Sequence, residues 1–131
     1  MDEPSFEFDS GGHPIHPGGR WTLTLTGSGT LTLRHSAFGR QTAFGPFVLP
    51  TAEYDLLWQR IRALDLAHPP PDPQRPVPDE YCYGFLLRAG GTVQRMAVWA
   101  HIAQHYPPIQ AFVAAVTPLI AHYTGQVPLI R

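Results

Sequence analysis

His101 and His105 stand four residues apart in the segment HIAQH. On a helix that spacing puts two imidazoles on one face, an arrangement used to hold zinc. If residues 100–106 are helical, the two form a candidate metal-ligating pair. Zinc proteases of this pattern place a glutamate directly after the first histidine to act as general base. Here that position is Ile102, so hydrolytic chemistry would lack its base. His13 and His16, three apart in a glycine-rich stretch, could complete a four-ligand site, although nothing in the sequence brings the two pairs together. The alternative for all of them is local hydrogen bonding or a place on the surface, which is also the reading for His35, His68 and His122.

Other chemistry finds less support. Cys82 is the only cysteine, so no intramolecular disulfide can form. As a nucleophile it would need an adjacent base and an electropositive setting; in mid-strand it reads as a small packed side chain. Asp79 and Glu80 are adjacent, and neighbouring residues of a strand point to opposite faces, which works against a shared acid–base role. None of the four serines lies in a nucleophile elbow. The pairs Gly11-Gly12, Gly18-Gly19 and Gly90-Gly91 match no phosphate-cradling fingerprint. All nine basic residues are arginine, which removes Schiff-base, P-loop and lysine-base chemistry. Together with the abundant proline, alanine and glycine, this reads as the codon usage of a GC-rich genome. No enzyme is indicated and no cofactor is expected.

The elements that must position any site can be read in order. With 131 residues the chain suits one domain, 1–131. Ser5–Asp9 alternates through Phe6 and Phe8 as a short strand. Ser10–Gly19, SGGHPIHPGG, is loop chemistry. Arg20–Thr26 and Thr30–His35 alternate around Gly27-Ser28-Gly29 and predict a hairpin with a leucine side toward the core and a threonine side toward solvent. Gly39–Leu49 predicts a further strand, and Pro46 within it implies an edge or a bulge. Thr51–Leu66 has Tyr54, Leu57, Trp58, Ile61 and Leu64 at helical spacing, with Thr51 as the expected N-cap. His68–Pro78 holds six prolines and reads as an extended connector from helix to sheet. Glu80–Arg88 and Thr92–Ala100 predict a second hairpin around Gly90-Gly91, pairing Leu87 with Gln94, Phe85 with Met96 and Tyr83 with Val98. The opposite side carries Cys82, Gly84, Leu86, Arg95, Ala97 and Trp99, too apolar to be simply wet. Pro108–Tyr123 predicts the last helix, kinked at Pro118. The expected fold is α+β: an antiparallel sheet of about four to six strands, built from two hairpins with short flanking strands, packed on two helices.

Composition narrows the partner. The formal net charge is −1 with no basic cluster, which argues against nucleic acid. No apolar run approaches the roughly 20 residues of a membrane span. The N-terminus MDEPSFEFD lacks the pattern of a signal peptide, so the expected compartment is the cytoplasm. What remains is interaction surface. The loop at residues 10–19 offers Gly11, Gly12, His13 and Ile15, while Trp99 and Tyr106 beside the end of the second hairpin are of the types that anchor interfaces. Trp99 has the alternative of packing under the last helix.

The order of elements resembles that of small bacterial emfourin-type proteins, which are similar to inhibitors of thermolysin-like metalloproteases. The resemblance rests on the early strand running into Ser10-Gly11-Gly12, the helix ending near Asp65-Leu66, the run Asp79-x-Tyr81-x-Tyr83, the Gly90-Gly91 turn and the last helix. It covers most of the chain as an order of elements rather than as identities. The threonine–leucine hairpin, the proline-rich connector and the proline in the last helix depart from it. It implies an inhibitor-like role, with Gly11 to Ile15 at the family's loop position. The leading expectation is a non-enzymatic protein-binding module of inhibitor or toxin-immunity type. The alternatives are a histidine-lined metal or small-ligand site at His101 and His105, and a homodimer formed through the Trp99 face.

Overall fold

The computed structural model describes residues 3–11, 19–69, 82–126 and 128. Six antiparallel strands form one sheet: β1 (Ser5–Asp9), β2 (Arg20–Thr26), β3 (Thr30–Ala37), β4 (Arg40–Val48), β5 (Cys82–Ala89) and β6 (Thr92–Trp99). Their order across the sheet is β4-β3-β2-β1-β5-β6. The described residues also form three helices: α1 (Thr51–Ala63), the single-turn α2 (Ala100–Ala103) and α3 (Pro107–Thr124). The α+β expectation is met.

The alternation at residues 5–9 predicts only a short flanking strand; the structure puts β1 in the middle, joining the two hairpins. Phe6 and Phe8 explain this. They are 0% and 1% exposed, and so short a strand buries both rings fully only with a neighbour on each side. β1 pairs with β2 through Phe6–Leu25 and Phe8–Leu23. On its other side it pairs with β5 through Phe6–Leu87 and Phe8–Phe85. The β5–β6 register is the expected one, with Leu87 opposite Gln94, Phe85 opposite Met96 and Tyr83 opposite Val98.

One side of the sheet carries the core. Trp21, Leu23, Leu25, Leu31 and Leu33 from the first hairpin are buried there, as are Tyr83, Phe85, Met96 and Val98 from the second. Leu57, Trp58, Ile61 and Leu64 of α1 and Ile109, Phe112, Val116 and Ile120 of α3 complete it. These helical residues follow the period of 3.6 that an amphipathic face requires. Phe112 sits at the centre, with ring centroids 5.0 Å from Phe8, 5.6 Å from Phe6 and 5.8 Å from Phe85. α1 and α3 are tied at their ends, where the Tyr123 hydroxyl donates to Glu53 Oε2 over 2.8 Å.

One local expectation changes. Thr51 is not the N-cap of α1. Pro50 takes that place with φ −56 and ψ 149, Thr51 is already helical, and no side chain caps the end. α3 continues past Pro118, which lies inside it. The Pro46 reading holds in both its forms, for β4 is an edge strand and its ladder with β3 shifts register between Leu31 and Leu33. The proline-rich connector lies outside the described residues from position 70 onward, and Tyr81 does also.

Candidate functional site

Strand alternation decides which side chains meet on the side of the sheet away from α1 and α3. Because Phe8, Trp21, Tyr83 and Val98 point into the core, their neighbours Asp9, Arg20, Thr22, Cys82 and Trp99 point the other way. The register aligns them. Asp9 is level with Thr22 on one side and Gly84 on the other, and Gly84 is level with Ala97. Two residues further toward the same end come Cys82 and Trp99, paired with each other. The root of the loop between β1 and β2 and the Trp99 segment therefore occupy the same end of the sheet. Sequence alone could not establish that.

The loop root is a clasp. Arg20 Nε donates to Asp9 Oδ1 over 2.7 Å, and Arg20 Nη2 donates to Asp9 Oδ2. Asp9 Oδ1 also accepts from the Gly11 amide at 2.8 Å. Ser10, 4% exposed, binds β2 twice: its amide donates to the Trp21 carbonyl and its Oγ accepts from the Trp21 amide, both at 2.9 Å. The hydrogen bond to Asp9 holds the Arg20 guanidinium above its ordinary pKa; burial works against this and the charge of Asp9 adds to it. Gly19 closes the root. Its φ is +61, and a Cβ there would lie 2.2 Å from the Ser36 carbonyl oxygen, a backbone atom that cannot yield without moving β3. Beneath it the Trp21 indole stacks on His35 with centroids 4.3 Å apart.

Of the sequence-derived candidates, Gly11 lies in this clasp. Gly12, His13 and Ile15 lie outside the described residues. Trp99 is half-buried on the side away from α1 and α3, so the alternative of packing under α3 does not hold: Val98, its neighbour, takes the inward position. Tyr106 precedes α3 as its N-cap residue, its ring half-buried against the core and its carbonyl accepting from the Ile109 and Gln110 amides at 3.0 Å.

The condition for a shared helical face at His101 and His105, a helix over residues 100–106, is not met. α2 ends at Ala103, and the chain then tightens, with the His105 amide donating to the Ile102 carbonyl at 3.0 Å and the Tyr106 amide to Ala103 at 3.2 Å. Bonds spanning three residues instead of four rotate His105 away from the position an α-helix would give it. Among the described residues there is no group of three or more His, Cys, Asp or Glu that could hold a metal. His13 and His16 are not among those residues.

Sequence reasoning missed Asp9 and Arg20. The available signal was an acid at the last position of one alternating strand and an arginine at the first position of the next. Two clefts lie elsewhere. One of about 330 Å³ runs between α1 and α3 beside Leu56, Leu57, Pro118 and Leu119. Another of about 270 Å³ lies beside Gln104, Ile109, Gln110 and Val113. Neither adjoins the clasp. No described helix is long and apolar enough to cross a membrane. A scan against protein-family models finds no match for this chain, and a search of curated proteins finds none.

Proposed function

We propose that this protein is a non-enzymatic protein-binding module of inhibitor or toxin-immunity type. It engages its partner with the side of the sheet away from α1 and α3, at the end that bears the Asp9–Arg20 clasp. The observation that carries the reading is the composition of that side. Across β2 and β3 it presents Thr22, Thr24, Thr26, Thr30 and Thr32, a wettable surface. Across β5 and β6 it turns more apolar, with Leu86, Ala97 and Trp99, and with Val93 51% exposed, interspersed with the exposed Arg88 and Arg95. An apolar patch with a polar border is the usual anatomy of a protein-contact surface. The clasp supports the same reading. A salt bridge, a buried serine and a glycine without space for any other side chain hold both ends of a loop in place, and loops fixed on a rigid sheet commonly carry binding.

The test is gel filtration of the purified chain with the product of each neighbouring gene. A co-eluting complex is expected, and Trp99→Ala should weaken it by about tenfold or more, as truncating an aromatic anchor does. If no neighbour's product co-elutes, the immunity form of the proposal is lost. The inhibitor form, which follows the emfourin resemblance, is checked by titrating the chain against a thermolysin-like protease. Unchanged proteolysis at stoichiometric excess removes it.

A further inference from the structure

The sheet has two edges, and they are built differently. Edge strand β4 contains Pro46, which has no N–H to offer, and its ladder is broken by a register shift. Both features keep an edge from recruiting another strand. Edge strand β6 has neither. It pairs with β5 without interruption from Thr92–Ala89 to Trp99–Cys82, and no described strand lies beyond it.

The outward-facing backbone groups of β6 follow from the hairpin. Gly90 and Gly91 have φ of 58° and 76°, as a two-residue turn of the primed type requires. The closing pair Ala89–Thr92 then exchanges both of its hydrogen bonds, and bonded pairs recur at every second residue. Thr92, Gln94, Met96 and Val98 bond to β5. The N–H and C=O groups of Val93, Arg95 and Ala97 point outward. The same alternation, carried through β5 and β1, requires bonded pairs at Ser10–Trp21 and Pro4–Gly27. The Ser10 amide donates to the Trp21 carbonyl at 2.9 Å and the Gly27 amide to the Pro4 carbonyl at 2.7 Å, which fixes the parity.

The side chains of Val93, Arg95 and Ala97 are all exposed. Arg95 is the one charged residue of β6, exposed Arg88 shares its side of the sheet on β5, and neither strand contains a carboxylate. A second copy of the chain is a poor occupant. The antiparallel register that pairs all three outward residues with those of a second copy sets Val93 opposite Ala97 and Arg95 directly opposite Arg95, and like charges facing across strands are destabilising.

We propose that β6 is a strand-docking edge for an extended segment of a partner protein in which acidic and apolar residues alternate. The inference rests on the protein-binding reading above and names the partner's chemistry. Backbone groups of the segment would bond to Val93, Arg95 and Ala97. Its acidic side chains would face Arg95 and Arg88, and its apolar ones would extend the side of the sheet that holds Met96 and Val98.

The probe is a dye-labelled, end-blocked peptide of alternating valine and glutamate, matching the eight residues of β6, followed by fluorescence polarisation on the full chain at low salt. Saturable binding is expected, about tenfold tighter than for the peptide with lysine in place of glutamate. Arg95→Glu should reverse that preference. Ala97→Pro removes an outward N–H without removing a β5–β6 bond, so it should abolish binding; circular dichroism establishes that the variant is folded, and Arg95→Glu, at an exposed position, decides the matter if it is not. Equal affinity for the two peptides, or full binding by folded Ala97→Pro, overturns the proposal. A mass that doubles with concentration in light scattering and is lost in Ala97→Pro also overturns it, by putting a second copy on β6. If the natural partner binds Ala97→Pro and wild type alike, the edge proposal falls while the binding-module reading stands.

Discussion

Replacing Asp9 tests the clasp that sets the ends of the candidate loop. Its carboxylate accepts from Arg20 through two nitrogens and from the Gly11 amide. The side chains are 27% exposed for Asp9 and 47% for Arg20, so solvent screens the pair in part. A pair of that exposure contributes roughly 0.2–1 kcal/mol, and its two-pronged geometry puts it at the upper end of that range. The bond to Gly11 adds about 1 kcal/mol. Asp9→Ala should therefore cost about 1–2 kcal/mol, or roughly 3–6 °C in thermal midpoint for a domain of this size. Asp9→Asn keeps an acceptor for Gly11 and loses only the ion pair, so about 0.5–1 kcal/mol is expected. The assay is urea unfolding of Asp9→Asn, Arg20→Gln and the double variant. Their double-mutant cycle should give a coupling of about 0.5–1 kcal/mol that shrinks as salt is added. A coupling indistinguishable from zero at low ionic strength, together with Asp9→Ala as stable as wild type, would refute the clasp.

Gly19→Ala combines a positive φ with a Cβ placed against the Ser36 carbonyl, so a loss of about 2–4 kcal/mol is expected in denaturant unfolding. Phe112→Ala empties the centre of the aromatic cluster at a fully buried position and should cost about 3–5 kcal/mol by the same measurement; a loss under about 1 kcal/mol would contradict the packing described. Tyr123 supplies a pH dependence. Burial, then the bond to Glu53 and its charge, push the hydroxyl above the ordinary tyrosine value of 10.0. The unfolded chain then releases that proton first, so the stabilisation is complete below about pH 10 and is lost as pH rises beyond it. Chemical unfolding of wild type and Tyr123→Phe across that range should show wild type losing its advantage of about 1 kcal/mol; parallel curves would count against the bond.

Much of the scaffold was legible because it is written in short-range patterns. Leu23, Leu25, Leu31 and Leu33 alternate with threonines, and that alone sets which side of the first hairpin is buried. Gly90 and Gly91 set the turn of the second hairpin and, through it, the pairing of Phe85 with Met96. The apolar stripe of α1 was complete in Leu57, Trp58, Ile61 and Leu64. The site was less legible. His101 and His105 look like a ligand pair only while α2 is assumed to continue, and whether a helix of one turn goes on depends on Pro107 and Pro108 and on how Tyr106 seats against the core. Proline disfavours a helical conformation in the residue before it, so Tyr106 is extended, with φ −100 and ψ 109.

The period of side chains along ten or so neighbouring residues was enough to read the strands, the two tight hairpins, the buried sides of both hairpins and both long helices, and the α+β class. Only the tertiary structure decided that β1 lies between β2 and β5, that Asp9 and Arg20 close a clasp level with the Trp99 end of the sheet, and that β6 is left as an edge. Those facts depend on which strand lies beside which. No periodicity along the chain encodes that choice; it goes with the simultaneous packing of Phe6 and Phe8 of β1, Phe85 of β5 and Phe112 of α3 in one cluster drawn from three separate elements.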